Sequence, residues 1–207
     1  MAADRSIILA WVADLATTLV ASPIDLADLL DRIEAARGLG RADFAGEVLD
    51  LMRVPAEWAR APDDFARFVA PAETDAATSE ACRVLLAVGL SLAAPRIDWP
   101  SRPEARTARA ALADALEAAL DIGSARGAAG VDLYAWLSDL GGVALRILSD
   151  LAANAVPMVR VETGVSLPAS VLAWKLYGDA GRAEGLADVA RSLTPMLMPV
   201  TFEALER

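Results

Sequence analysis

Apolar residues recur at helical spacing along most of the chain and at strand spacing only near its end. Residues 5–21 suit a first helix, apolar enough to be buried on most sides. Ser22 and Pro23 stop it and open a second, the serine as N-cap and the proline at the first helical position. Asp25 and Asp28 stand near that start, where the helix dipole favours carboxylates. Leu26, Leu29, Leu30 and Ile33 make the expected inward stripe, and Gly38 and Gly40 end the helix. Residues 43–52 suit a short third helix. Residues 55–74, with Pro55, Pro62 and Pro71, read as an irregular connection with a helical turn near 63–69. Trp58, Phe65 and Phe68 would anchor it; the alternative is a contact arm for a neighbouring subunit. Residues 78–94 are strongly apolar and predict the central core helix, ended by Pro95. Residues 103–122 form a long amphipathic pattern with Leu112, Leu116 and Leu120 four apart. The run GSARGAAG is the clearest break, after which Asp132 is expected to cap another long helix. Its Gly141–Gly142 pair predicts a kink or a close helix contact.

The end of the chain has a different rhythm. MVRVE, residues 158–162, alternates as a short strand does, and Thr163 and Gly164 break it. Ser166 is the expected N-cap of a helix with an early Pro168, burying Leu167, Val171, Leu172 and Leu176. Gly178 ends that helix and Asp179 supplies turn chemistry. Residues 182–191 suit a second helix with Leu186, Val189 and Ala190 inward. Pro195 and Pro199 then punctuate a loop before PVTFEAL returns as a closing strand. The expected fold class is mainly α: a helical bundle over residues 1–155, followed by a small β-α-α-β module over residues 156–207.

The run SLPASVLAWKLYGDAGRAEGLADVAR resembles the end of the DNA circularisation proteins of Mu-type tailed phages, a family of tail and baseplate components. The motif L-P-x-x-V-L-A-x-x-L-Y-G-D-A-x-R-A-E is supplied from Leu167 to Glu184, through Pro168, Leu172, Leu176, Tyr177, Gly178, Asp179 and Arg182. In outline the run also resembles a LysM module: a glycine turn, a helix ending Tyr-Gly-Asp, then a second helix. SPIDLADLLDRI is similar to an S-P-x-D-L segment in the middle of the same phage family. The sequence departs from a glycan-binding LysM at Gly164-Val165-Ser166-Leu167, where Gly-Asp-Thr-Leu is usual. It departs again at Ala190-Arg191-Ser192, where an Asn usually closes the second helix. Leu193-Thr194-Pro195-Met196 replaces the family's Arg-x-x-x-Pro-Gly ending. The family's N-terminal segment is not recognisable before Arg5, as in a shortened relative or the rear portion of a longer protein.

The resemblance implies a virion structural protein of the tail or baseplate hub. It would be made in the host cytoplasm, then built into the tail through helical and LysM-like surfaces. Its partners would be other tail proteins and further copies of itself. The alternatives are a peptidoglycan-binding LysM protein and a DNA-circularisation factor.

Composition bears on these readings. The chain is 56% hydrophobic with a mean hydropathy of +0.39, the excess expected of a small-residue helical core or of buried subunit interfaces. No run reaches the roughly 18–20 uninterrupted apolar residues of a membrane helix, and MAADRS lacks the order of a signal peptide. A net charge of −10 argues against a broad nucleic-acid surface. Arg102, Arg106 and Arg109 could form a local basic stripe or a solvated face paired with Asp114 and Glu117. With no histidine and one cysteine, Cys82, the usual zinc sites, histidine triads and intrachain disulfides are excluded. Asp63-Asp64 reads as capping rather than a catalytic pair, and the glycine-rich stretches lack a Walker lysine or Rossmann strand. Tyr177-Gly178-Asp179 is the sharpest constellation, read as local packing with a ligand site as the alternative. No catalytic, cofactor or metal residue is assigned, and the chain is not expected to be an enzyme.

Overall fold

The computed structural model describes residues 3–72 and 74–206; Met1, Ala2, Glu73 and Arg207 lie outside them, Glu73 within the 55–74 connection discussed above. The chain is mainly α, with nine α-helices and one two-stranded antiparallel sheet among the described residues. It divides into two compact units: Met1–Trp99 with Glu104–Leu151, and Pro100–Pro103 with Ala152–Arg207.

Unit 1 begins with α1 (Arg5–Leu19), whose cap Asp4 accepts the Ser6 N–H, and α2 (Pro23–Ala36), whose cap Ser22 accepts the Asp25 N–H. The inward face of α2 is Leu29, Ile33 and Ala36. Leu30, expected inside, is exposed because it stands about 100° around the helix from Leu29. The third helix, α3 (Arg41–Trp58), is longer than the 43–52 expected and runs through Pro55. Proline donates no bond to the Leu51 carbonyl and normally breaks a helix at about 3 kcal/mol. Here Leu51, Met52, Pro55 and Ala56 form one buried face, and their burial offsets that loss.

The connection that follows contains α4 (Pro62–Ala66), and the Asp64 carboxylate accepts the Arg60 and Ala61 N–H groups at 2.9 and 3.0 Å. Phe65 and Phe68 are buried and Trp58 is half-buried, with Phe65 edge-on to Trp99. The core helix is α5 (Ala76–Ala93), packed against α3 and α1. Gly89 lets α5 approach closely: a Cβ there would lie 3.0 Å from Met52 Sδ and 3.1 Å from the Phe68 ring. Averaged along Ala76–Arg96, hydropathy reaches 1.4, enough by length and composition to cross a membrane, although no uninterrupted apolar run does so. Half of that window is buried within the fold, as expected of a core helix.

Two 24-residue helices follow, α6 (Arg102–Ala125) and α7 (Val131–Asn154). The glycine-rich break is shorter than expected, only a 3-10 turn at Gly127–Gly130. It leads straight into α7, so Asp132 sits inside the first turn rather than capping it. Gly141 makes the close contact: a Cβ there would come within 2.5 Å of Leu116 Cδ1. Gly142 faces open space, and the helix passes both without interruption. Of the arginine stripe, Arg109 donates to Ser149 Oγ at 2.8 Å and Arg102 to the Ala153 carbonyl at 3.1 Å, bonds the sequence pattern did not anticipate.

Unit 2 contains β1 (Met158–Glu162), α8 (Ala169–Tyr177), α9 (Ala183–Val189) and β2 (Thr201–Leu205), the expected β-α-α-β order. The strands pair antiparallel, Met158 with Leu205 through Glu162 with Thr201. Ala169, Leu172, Ala173, Leu186, Ala187, Met198, Phe202 and Ala204 form its core. Leu167, Leu176 and Tyr177 pack against that core, whereas Val171 is exposed. The inward face of α8 recurs at 169, 172, 173 and 176, and residue 171 lies off it. The second helix starts later than 182, after a 3-10 turn at Ala180–Arg182, and buries Ala187 beside Leu186 while Val189 and Ala190 are half-buried.

Candidate functional site

The residues of the Leu167–Glu184 run come together around one corner of unit 2. Gly178 takes a left-handed φ of 74°, which a residue with a Cβ adopts only under strain, and its N–H reaches the Trp174 carbonyl. Asp179 Oδ1 then accepts the Gly181 N–H at 2.8 Å and starts the next turn. The turn carries the Arg182 guanidinium over the Tyr177 ring, 4.1 Å from its centroid, while Tyr177 Oη donates to the Leu205 carbonyl of β2 at 3.2 Å. Leu172 is buried, Leu167, Pro168 and Leu176 are half-buried, and Glu184 is exposed. Tyrosine packs, glycine turns and aspartate caps; the group is a local brace joining α8 to the sheet.

Ser166 does not cap α8. Its Oγ donates to the Met198 carbonyl at 2.6 Å, and the helix begins at Ala169 with Pro168 before it. That bond belongs to a larger pairing between the loop after β1 and the loop before β2. The Thr163 N–H reaches the Val200 carbonyl, the Met198 N–H reaches the Leu167 carbonyl, and the Ala169 N–H reaches the Pro195 carbonyl at 2.7 Å. The two loops thus spend much of their backbone polarity on each other. What they turn outward is apolar: Val165, Met196, Leu197 and Val200 are exposed, and Leu193 is fully so at 103%. Trp174, on α8, is 64% exposed. The loop residues among them lie around Pro195 and Pro199 or beside Gly164 and carry no periodicity, so the hydrophobic pattern does not single them out. Their signal was composition, since large apolar residues are unusual in a loop.

Elsewhere the perturbed groups sit in the core, in an ion-pair network and at a helix cap. Burial raises the Cys82 thiol above its ordinary pKa, which disfavours the reactive thiolate. Asp50 is held below the usual carboxylate range by hydrogen bonds from Arg53 and then Arg32. Its ion-pair network runs from Glu47 and Arg32 through Asp50 and Arg53 to Glu57 and Arg96. Asp75 is lowered chiefly by hydrogen bonds from Thr78, and its carboxylate caps α5. Among the described residues no group of three His, Cys, Asp or Glu side chains is placed to hold a metal ion. No protein-family model matches the sequence, and no curated protein does.

Proposed function

We infer that this chain is a structural assembly protein of a Mu-type phage tail or baseplate hub, docking onto neighbouring subunits through the paired loops of unit 2. The observation that carries the reading is the outward apolar set Val165, Leu193, Met196 and Leu197 on loops whose backbone groups are mutually bonded. Burying such a set against another protein removes apolar area from water with little backbone polarity to desolvate. A glycan surface would instead present hydroxyl-matching polar groups around an open groove. The Leu167–Glu184 motif supports the phage-tail setting, with synthesis in the host cytoplasm and incorporation into the virion. Partners are other tail proteins and further copies of this chain.

Size-exclusion chromatography with mass detection tests the reading. The wild-type chain is expected as a defined oligomer, and Leu193→Ser/Met196→Ser/Leu197→Ser as a monomer with unchanged circular dichroism. An oligomer that survives the triple substitution refutes the loop pair as the interface. A monomeric wild type that sediments with insoluble peptidoglycan, or shifts DNA in a salt-sensitive way, would replace the assembly reading with one of the two alternatives.

A further inference from the structure

Unit 1 holds a cavity of about 710 Å³ between the starts of α1, α3 and α5 and the segment joining α6 to α7. Its apolar lining includes Ile8, Phe44, Val48 and Leu85, all buried. Arg5, Arg41 and Arg126 complete the wall, and no Asp or Glu lines it. In a chain with 29 acidic and 19 basic residues, a wall with three arginines, of which Arg126 alone is ion-paired among the described residues, opposes the general charge balance.

The three arginines are differently held. Arg5 Nη1 donates to the Leu39 carbonyl at 2.6 Å and the guanidinium stands 4.5 Å from the Phe44 ring centroid, so its place is fixed by neutral groups and its charge is not cancelled. Arg126 pairs with Glu80 at 3.0 Å across an exposed surface. The Arg41 side chain makes no hydrogen bond or ion pair among the described residues. It opens α3, whose cap residue Gly40 supplies no side-chain bond, so the positive end of an 18-residue helix adds to the arginine's field. Carboxylates stand outside the lining: Glu80 on Arg126, Asp43 in the first turn of α3, Asp4 beside Arg5, and Asp75 two residues before Ala77.

We propose that this cavity binds a small amphipathic anion, an apolar body carrying one carboxylate or sulfonate head. The volume is that of a small-molecule site. The body lies on Phe44, Val48 and Leu85, and the head faces Arg41 and Arg5. This site is independent of the loop pair in unit 2 and of the assembly reading.

Isothermal titration of the full chain with octanoate, decanoate and dodecanoate, each below its micelle concentration, tests it. Each buried methylene should tighten binding about fourfold, and decanol, with the same chain and no charge, should bind at least about tenfold more weakly than decanoate. Arg41→Gln, at an exposed and unpaired position, should weaken decanoate about tenfold without moving the melting temperature. Ala81→Phe should fill the cavity and abolish binding, with circular dichroism reporting that the fold is kept. Decanol binding as tightly as decanoate, an unaffected Arg41→Gln, or no heat with dodecanoate would each overturn the proposal.

Discussion

Unit 1 and unit 2 use the same residue types to opposite ends. In unit 1 glycine makes room: Gly89 admits Met52 and Phe68, Gly141 admits Leu116, and Gly130 sits over the Gly123 carbonyl. In unit 2 glycine supplies backbone, as it does in unit 1 at Gly127 alone among the described residues: Gly164 and Gly178 have φ of 69° and 74°, and a Cβ at either would meet nothing. The apolar side chains differ in the same way. Unit 1 surrounds its core with a chain of paired charges and exposes its large apolar side chains mostly on helices, among them Ile24, Val131, Trp136 and Val143, whereas unit 2 closes over an eight-residue core and exposes most of its own on loops. A small unit has too little interior to hide all its apolar residues. On the assembly reading proposed above, a neighbouring subunit would cover the loop set of unit 2.

The comparison breaks first at the small core. Phe202→Ala removes a buried aromatic from a cluster with few other large members and should cost about 3–5 kcal/mol. Hydrogen exchange should then show protection lost across β1, α8 and β2 while α3 and α5 stay protected. Loss of protection spread equally over α3 and α5 would mean that the two cores unfold together.

A second test takes the two uses of space in unit 1. A Cβ at Gly130 would fall on the Gly123 carbonyl oxygen, so Gly130→Ala must move backbone and should destabilise by about 2 kcal/mol or more. Gly142→Ala, one residue past the Leu116 contact and open to solvent, should instead stabilise α7 by roughly 0.5–1 kcal/mol. Urea melts of the two variants measure both signs, and equal effects would remove the distinction.

The parts of the fold that were legible in the sequence are those set by local rules. Ser22-Pro23, the strand alternation of MVRVE and the Gly178-Asp179 stop all act within a few residues, and each forms as read. What was not legible depends on distant partners. Pro55 stays helical because its face is buried, Ser166 leaves its cap for the Met198 carbonyl, and the α6–α7 break is short because glycine tolerates the crossing at Gly123. The candidate surface divides in the same way. The Tyr177–Arg182 brace lies within the motif, but the exposure of Leu193 and Met196 follows from which loop residue, Met198, the core takes.

The charged surface of unit 1 gives a pH signature. Asp50 accepts from Arg53 Nε at 2.8 Å and Arg32 Nη2 at 2.7 Å, which lowers its pKa. A depressed carboxylate stabilises the fold above its unfolded pKa and loses that contribution as pH falls through the folded value. The site is 42% exposed, so screening leaves about 0.5–1 kcal/mol. Asp50→Asn should therefore be less stable than wild type by that amount at pH 7. The gap should start to shrink below about pH 4 and close once pH has passed the lowered folded value. A gap that persists in acid would assign the loss to packing rather than charge.

The smallest effect sharpens the contrast in backbone. Arg191 has φ of 50° just after α9, and it is the only residue other than glycine with positive φ among those described. Its N–H reaches the Asp188 carbonyl and the Ser192 N–H reaches the Ala187 carbonyl, so the turn is bonded on both sides and the strain is held in place. An L-residue there gives up about 1–2 kcal/mol; glycine removes that strain but loses part of the gain to the greater entropy of its unfolded chain. Arg191→Gly should thus stabilise unit 2 by about 0.5 kcal/mol, and Arg191→Asn, which tolerates this region better than arginine, by less. If both variants instead destabilise, the exposed arginine makes up for its backbone through its side chain, and the use of glycine for conformation in unit 2 ends at Gly178.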